Sequence, residues 1–281
     1  MLDNQKSTAE YFSRSAGIEF FRRRAVGGQD SRPTLVLLHG IGSNATSWKS
    51  TIDALPQDLD TIAWYAPGYD LSEALATSDP SPSDYADALD RFLNTLNIGR
   101  IVLAGHSLGS LFAGRYAATR HARVAGVALL SPALGYAVPT GQPLLPSLQQ
   151  RLDELIALGG KEFAARRAGR LLYRSQTKPG LFASVREAMS RVNLEGYTQA
   201  VKALNAGDLV ADAALIQAPT LVAVGEEDVV TPPANAEKLY AALQHPLSFT
   251  RTPEAGHALP QEAPGEIARI LTKLVEVVCD D

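Results

Sequence analysis

Cysteine is almost absent from this chain of 281 residues: Cys279, near the C-terminal end, stands alone. A single thiol excludes a disulfide within the chain and any metal site built from several cysteines, and it points to a reducing, cytoplasmic setting. Long apolar runs are missing as well. No stretch approaches the roughly 20 residues of a membrane-spanning helix. The opening MLDNQKSTAEYFSRS holds no apolar core of the kind a signal peptide carries. There is no excess of charge of one sign: a net charge of −4, dispersed along the chain, offers no footprint for nucleic acid or an anionic membrane. Repeats and low-complexity tracts are not visible. What remains is an ordinary globular balance, 46% hydrophobic and 20% charged.

Short apolar runs alternate with helical patterns. EYFSRS and GIEFFRRRAV read as an opening strand pair. TLVLLHG (34–40), TIAWYAPG (61–68), IVLAGHS (101–107) and VAGVALLSPA (124–133) are near-continuous apolar runs ending in small or turn residues, as strands of a parallel sheet buried on both faces do. Between them, Tyr85, Leu89, Phe92, Leu93 and Leu96 recur at three- and four-residue steps, the spacing of a helix with one apolar face. The alternation predicts an α/β domain with helices on both faces of the sheet. It stops near Leu134 and resumes at APTLVAVGEED (218–228), PLSFTRTPEAGH (246–257) and a closing helix over Pro264 to Val278. The intervening stretch reads as helices alone. The expected division is a core over 1–133 and 213–281, interrupted by a helical insertion over 134–212 that is too long for an ordinary connection.

Gly105-His106-Ser107-Leu108-Gly109 places a serine between a strand and a helix in the pattern G-x-S-x-G. The glycines allow the sharp turn, and the corner presents a hydroxyl toward the positive end of the following helix. A serine hydroxyl is a weak nucleophile and needs a base, normally a histidine that a carboxylate orients. Of five histidines, His39 ends a buried strand, His106 sits in the turn itself with its side chain expected to point away, His121 follows a helix, and His245 precedes a strand at the wrong end of the sheet. His257 follows the last strand in a loop, at the carboxyl edge where open parallel sheets gather their chemistry. The carboxylate is expected after LVAV, where Glu226, Glu227 and Asp228 stand; the register before Thr-Pro-Pro favours Asp228. Oxyanion donors are expected from the backbone N–H groups of Leu108 and of Ile41 in the turn after TLVLLHG.

Taken together, TLVLLHGIGS, the APGY segment, LAGHSLGS, VGEEDVVTP and AGHALPQEAP resemble the α/β-hydrolase fold superfamily from about Tyr11 to Val278. The resemblance implies a mostly parallel eight-stranded sheet with a helical cap after strand six, Ser107 as nucleophile, Asp228 as acid, His257 as base, and Ile41 and Leu108 as oxyanion donors. The chain is similar to small capped hydrolases such as enol-lactonase-like enzymes and C–C hydrolases of meta-cleavage products. H-S-L-G-S leans toward esterases and lactonases, and Ser107 argues against the families that place an aspartate there. Relatives often carry P-G-x-G-x-S after strand four; here Asp70 stands where the second glycine would fall. The expected activity is hydrolysis of a small carboxylic ester or lactone, with C–C or amide cleavage as the alternative within catalysis and a non-catalytic ligand receptor as the alternative outside it. No cofactor or metal is implied, and the expected partner is a small-molecule substrate with a carbonyl group, taken by a monomer or small homo-oligomer. Arg166, Arg170 and Arg174, at four-residue steps, read as one face of a cap helix, either solvated or reaching a substrate carboxylate; Trp48 either lines the acyl pocket or packs under the oxyanion loop.

Overall fold

A computed structural model of the chain describes residues 10–27 and 32–279. Most of the N-terminal segment read above for a signal core lies outside them. Eight strands form one sheet: β1 (Glu10–Ser15), β2 (Ile18–Arg23), β3 (Thr34–Leu38), β4 (Thr61–Trp64), β5 (Ile101–His106), β6 (Val124–Leu130), β7 (Thr220–Gly225) and β8 (Pro246–Thr252). Their spatial order is β1-β2-β4-β3-β5-β6-β7-β8. From β4 to β8 every pairing is parallel, while β1–β2 and β2–β4 are antiparallel. The apolar runs read from the sequence are therefore the strands.

Alternate residues along each buried strand feed two cores. Val36, Leu38, Leu103, Leu129 and Val222 face one side; Leu35, Leu37, Val102, Leu130 and Leu221 face the other. Among the described residues, ten α-helices accompany the sheet: α1 (Lys49–Ala54), α2 (Pro82–Thr95), α3 (Leu108–Thr119), α4 (Pro146–Arg167), α5 (Pro179–Ser190), α6 (Leu194–Ala206), α7 (Leu209–Ala213), α8 (Pro233–Ala242), α9 (Leu259–Glu262) and α10 (Pro264–Cys279). In α2 a capping box of Ser81 and Asp84, with Pro82 in the first turn, starts the helix, and Tyr85, Leu89, Phe92 and Leu93 form its buried face. Tyr85 stacks on Phe112 of α3 with ring centroids 4.0 Å apart.

Between β6 and β7 the chain forms helices and loops, with an isolated bridge between Gly135 and Asp208. Tyr197, Ala200, Val201 and Leu204 of α6 pack into the same apolar cluster as α2 and α3, so this segment shares its core with the sheet. Gly159, at φ 69 and ψ 164, breaks α4 into two limbs. The helix ends at Arg167, a 3-10 turn covers Ala168–Leu171, and Arg174 is left-handed. Arg166, Arg170 and Arg174 therefore do not share one helix face. The four-residue spacing was compatible with a helix, but nothing in it marks where the helix stops.

Candidate active site

The corner of the sheet that carries Ser107 is tight. A Cβ at Gly105 would sit 2.2 Å from the carbonyl oxygen of Gly109, and one at Gly109 would sit 2.2 Å from that of Leu38. Only glycine at both positions lets α3 start so close to β3 and β5. Ser107 itself has φ 54 and ψ −117, a conformation that strains any residue with a side chain by about 1–3 kcal/mol. It occupies the N-cap position of α3 yet makes no side-chain cap bond, so its hydroxyl is left for other partners. Nearby Ser110 donates to the Gly105 carbonyl oxygen at 2.7 Å, securing the turn.

His257 reaches this corner from the loop after β8. Its Nε2 lies 3.0 Å from Ser107 Oγ, and its Nδ1 lies 2.9 Å from Asp228 Oδ2. An ionised carboxylate only accepts, so Nδ1 carries the hydrogen and Nε2 presents a lone pair to the serine hydroxyl. All three residues are buried. Asp228 Oδ1 accepts the N–H groups of Val230 and Thr231 at 2.8 and 2.9 Å. Burial pushes the Asp228 pKa up, but the His257 hydrogen bond and charge together with these two amides outweigh it, and the carboxyl is held below its ordinary range. Glu226 and Glu227, the other two carboxylates of that turn, are exposed.

Several supporting residues were not singled out from the sequence. The Thr231 hydroxyl lies 2.9 Å from both Asp228 Oδ2 and the Ser131 carbonyl oxygen, and 3.1 Å from His257 Nδ1. Its place three residues after the aspartate was the available signal. Glu262, with its side chain fully buried, accepts from Gly256 N on one oxygen and from Tyr173 N and Lys178 Nζ on the other. It thereby ties the His257 loop to the segment after α4, as does the 2.8 Å bond from Ala258 N to the Leu171 carbonyl oxygen. His106 does point away from the hydroxyl, but it is not idle: its Nε2–H donates to the His257 carbonyl oxygen at 2.6 Å. Burial and the nearby His257 push the His106 pKa down to about 3. His39 donates from Nδ1 to the Gly40 carbonyl oxygen at 2.9 Å and accepts Ala66 N–H on Nε2 at 3.0 Å; burial pushes its pKa down to about 4. Both imidazoles are thus neutral struts. His121 and His245 are exposed.

Ser107 opens into a cavity of about 350 Å³. Its floor includes Gly40, Ile41, Gly42, His106 and Leu108, and its roof includes Leu148, Arg151, Leu171, Val185 and Met189 from the helical insertion. Among the described residues, the N–H groups of Ile41 and Leu108 have no hydrogen-bond partner. Two expectations about the walls are corrected here. Trp48 is fully buried and belongs to the apolar cluster on the α1 and α10 side of the sheet, which also holds Ile52 and Leu55, and it does not line the cavity. Arg166 is exposed and paired with Glu162 at 3.2 Å, Arg170 is exposed, and neither lines the cavity. The wall residue is Arg151. Its signal was legible in hindsight: Leu148, Arg151, Leu152 and Leu155 follow the spacing of an apolar stripe, with a charge in one of its positions. Asp70 is not on the wall either; it pairs with Arg191 after α5 and accepts from Asn44 at 3.1 Å, linking insertion to core.

Among the described residues no group of His, Cys, Asp and Glu side chains converges to hold a metal ion, and no helix is long and apolar enough to cross a membrane. Residues 33–264 match the alpha/beta hydrolase fold family. The chain is 32% identical over 196 residues to (E)-2-((N-methylformamido)methylene)succinate hydrolase of Acinetobacter baylyi, covering 69% of this chain and 72% of that protein. Among solved structures, the enol-lactonase of Burkholderia xenovorans LB400 superposes with a TM-score of 0.82 at 21% identity, covering 95% of this chain and 100% of that one. A thermophilic esterase of Thermogutta terrifontis gives 0.79 at 23% identity, over 96% of this chain and 99% of that one. At those identities the structural likeness speaks to the fold. The extended family match, together with the sequence relative, places the chain more firmly: it belongs to the α/β-hydrolase fold family and is a hydrolase.

Proposed function

We propose that the protein is a serine hydrolase that cleaves a small carboxylic ester or lactone through an acyl-enzyme. The observation that carries this reading is the hydrogen-bonded row Ser107–His257–Asp228, with contacts of 3.0 and 2.9 Å, facing a cavity beside two unpaired backbone amides. In this reading Ser107 Oγ attacks the substrate carbonyl carbon while its proton passes to His257 Nε2. The negative charge that develops on the carbonyl oxygen is received by the Ile41 and Leu108 N–H groups, which are already free and need no reorganisation; a donor of this kind is typically worth about 10²–10³ in rate. Asp228, held ionised, stabilises the imidazolium. His257 then protonates the leaving group, the acyl-enzyme forms, and a water deprotonated by His257 releases the acid and frees the serine. The helical insertion over 134–212 acts as a cap that excludes bulk water from this sequence of steps. The setting is the reducing cytoplasm and the chain acts without cofactor or metal.

A second reading, amide hydrolysis, is favoured by one observation: the Acinetobacter baylyi relative is named for a substrate that contains an amide. The same attack, proton transfers and acyl-enzyme serve both. The test is hydrolysis of p-nitrophenyl esters of increasing acyl length by the parent protein and Ser107→Ala, with active-site labelling by a fluorophosphonate. Ester turnover and labelling, both lost in Ser107→Ala, are expected. An absence of labelling in the folded parent protein would overturn the serine-nucleophile reading, while labelling without ester turnover would move the substrate toward an amide.

A further inference from the structure

The wall of the cavity carries one full charge. Among the described residues, no Asp or Glu lines it, and Arg151 is its only lysine or arginine. The neighbouring cations of the insertion are mostly spent on carboxylates: Arg166 on Glu162, Arg167 on Glu154 at 2.7 Å, and Lys178 on Glu262 at 2.8 Å. Arg151 has no ion-pair partner among the described residues. It is instead held in place: Nε donates to the Tyr197 hydroxyl, and the guanidinium lies over the Tyr197 ring, 5.3 Å from its centroid. Tyr197 is itself buried, fixed edge-to-face against Phe163 with ring centroids 5.5 Å apart. One edge and one face of the guanidinium are thus occupied, and among the described residues the terminal Nη groups have no partner. That is the half of the fork which grips a carboxylate in bidentate fashion.

We propose that Arg151 binds a free carboxylate of the substrate, so that the site takes a small ester, lactone or amide whose molecule also carries an anionic carboxyl group. The inference rests on the hydrolase reading above and narrows its substrate class. A half-buried guanidinium among Leu148, Met189 and Leu204 faces walls of low polarity, where the attraction for an anion exceeds that at an open surface. Its preorganisation on Tyr197 means that little side-chain entropy is lost when the anion arrives.

The test compares p-nitrophenyl hemiglutarate with the length-matched neutral p-nitrophenyl valerate, using the parent protein, Arg151→Met, Arg151→Lys and Tyr197→Phe. The parent is expected to favour the anionic ester by about 10-fold or more in kcat/KM. Arg151→Met is expected to reduce the anionic-to-neutral ratio by about 30-fold or more, mainly through KM; Arg151→Lys, which keeps the charge without the fork, falls between. Tyr197→Phe keeps the ring but removes the acceptor for Nε, and is expected to raise KM for the anionic ester alone. Calorimetric titration with glutarate supplies a readout that does not need turnover: the parent binds, and Arg151→Met binds at least about 10-fold more weakly. A ratio near one in the parent, or one unchanged in Arg151→Met, overturns the proposal while leaving the hydrolase reading intact. Failure of fluorophosphonate labelling overturns the hydrolase reading, and Arg151-dependent glutarate binding then still decides the anion site.

Discussion

His106→Gln tests how the site is held. In the fold the His106 ring is buried and donates from Nε2 to the His257 carbonyl oxygen, with its pKa pushed down to about 3 by burial and by the neighbouring His257. The unfolded chain titrates it near 6.5. Below that pH the unfolded chain takes up a proton that the folded chain refuses, so stability is fully present above pH 6.5 and is lost as pH falls toward 3. Between pH 7.5 and 4.5 the loss is about 2–3 kcal/mol for this one residue. His39, pushed down to about 4 by burial, adds a similar loss over the same window. Asp212 works the other way. Its buried carboxyl is raised to about 6 by desolvation, against Arg115 at 3.1 Å, so its contribution is largest at low pH and is lost as pH rises through 6. That offsets about 2 kcal/mol of the acid loss. The parent protein should therefore lose about 3 kcal/mol between pH 7.5 and 4.5, a large fraction of a typical folding stability. A glutamine amide can reach the same carbonyl but does not titrate, so His106→Gln should reduce the loss to about 1 kcal/mol or less, whatever its absolute stability. Urea unfolding at pH 7.5, 6.0 and 4.5, with equal m-values required, measures it. Identical pH dependence in parent and variant would refute the picture of His106 as a neutral buried strut.

Ser107→Ala should abolish turnover while leaving the thermal midpoint unchanged or slightly raised, as is common when a strained functional position is simplified; a loss of several degrees would contradict that. Gly109→Ala should cost about 3–5 kcal/mol or prevent folding, because its Cβ would meet the Leu38 carbonyl oxygen at 2.2 Å; a soluble variant with a parental melting curve would refute the close approach. Thr231→Val keeps the shape but leaves the Ser131 carbonyl oxygen without its hydroxyl donor, at about 1–3 kcal/mol by urea unfolding. Its kcat should fall further than its KM rises, since the hydroxyl touches both Asp228 and His257. Glu262→Gln supplies one acceptor oxygen where two are used, so amide exchange at Gly256 should accelerate by about 10-fold or more; unchanged protection there would show that the loop does not depend on the carboxylate.

Much of this protein was legible in its residue order because the relevant constraints are local. Apolar runs of four to seven residues separated by amphipathic periods can bury both faces only as a covered parallel sheet, and the glycines around Ser107 mark a turn that no other residue could make. Asp228 and His257 could be named because each follows a strand at the carboxyl edge of the sheet, where the topology brings strand ends together. The tertiary structure decided everything that depends on which surfaces meet. Trp48 and Arg151 illustrate the difference: an aromatic close to the oxyanion loop in sequence is packed on the far side of the sheet, and a charge in an apolar helix stripe turns out to face the cavity. The helix carrying Arg166 stops at Arg167, so a spacing that suited one continuous face had no face to occupy. Thr231, Glu262 and His106 gain their roles through contacts to residues 26 to 151 positions away or through a fully buried carboxylate shared by two loops. Period and turn chemistry are properties of neighbours along the chain. The walls of a cavity are set by packing between segments distant in sequence, which no periodicity records.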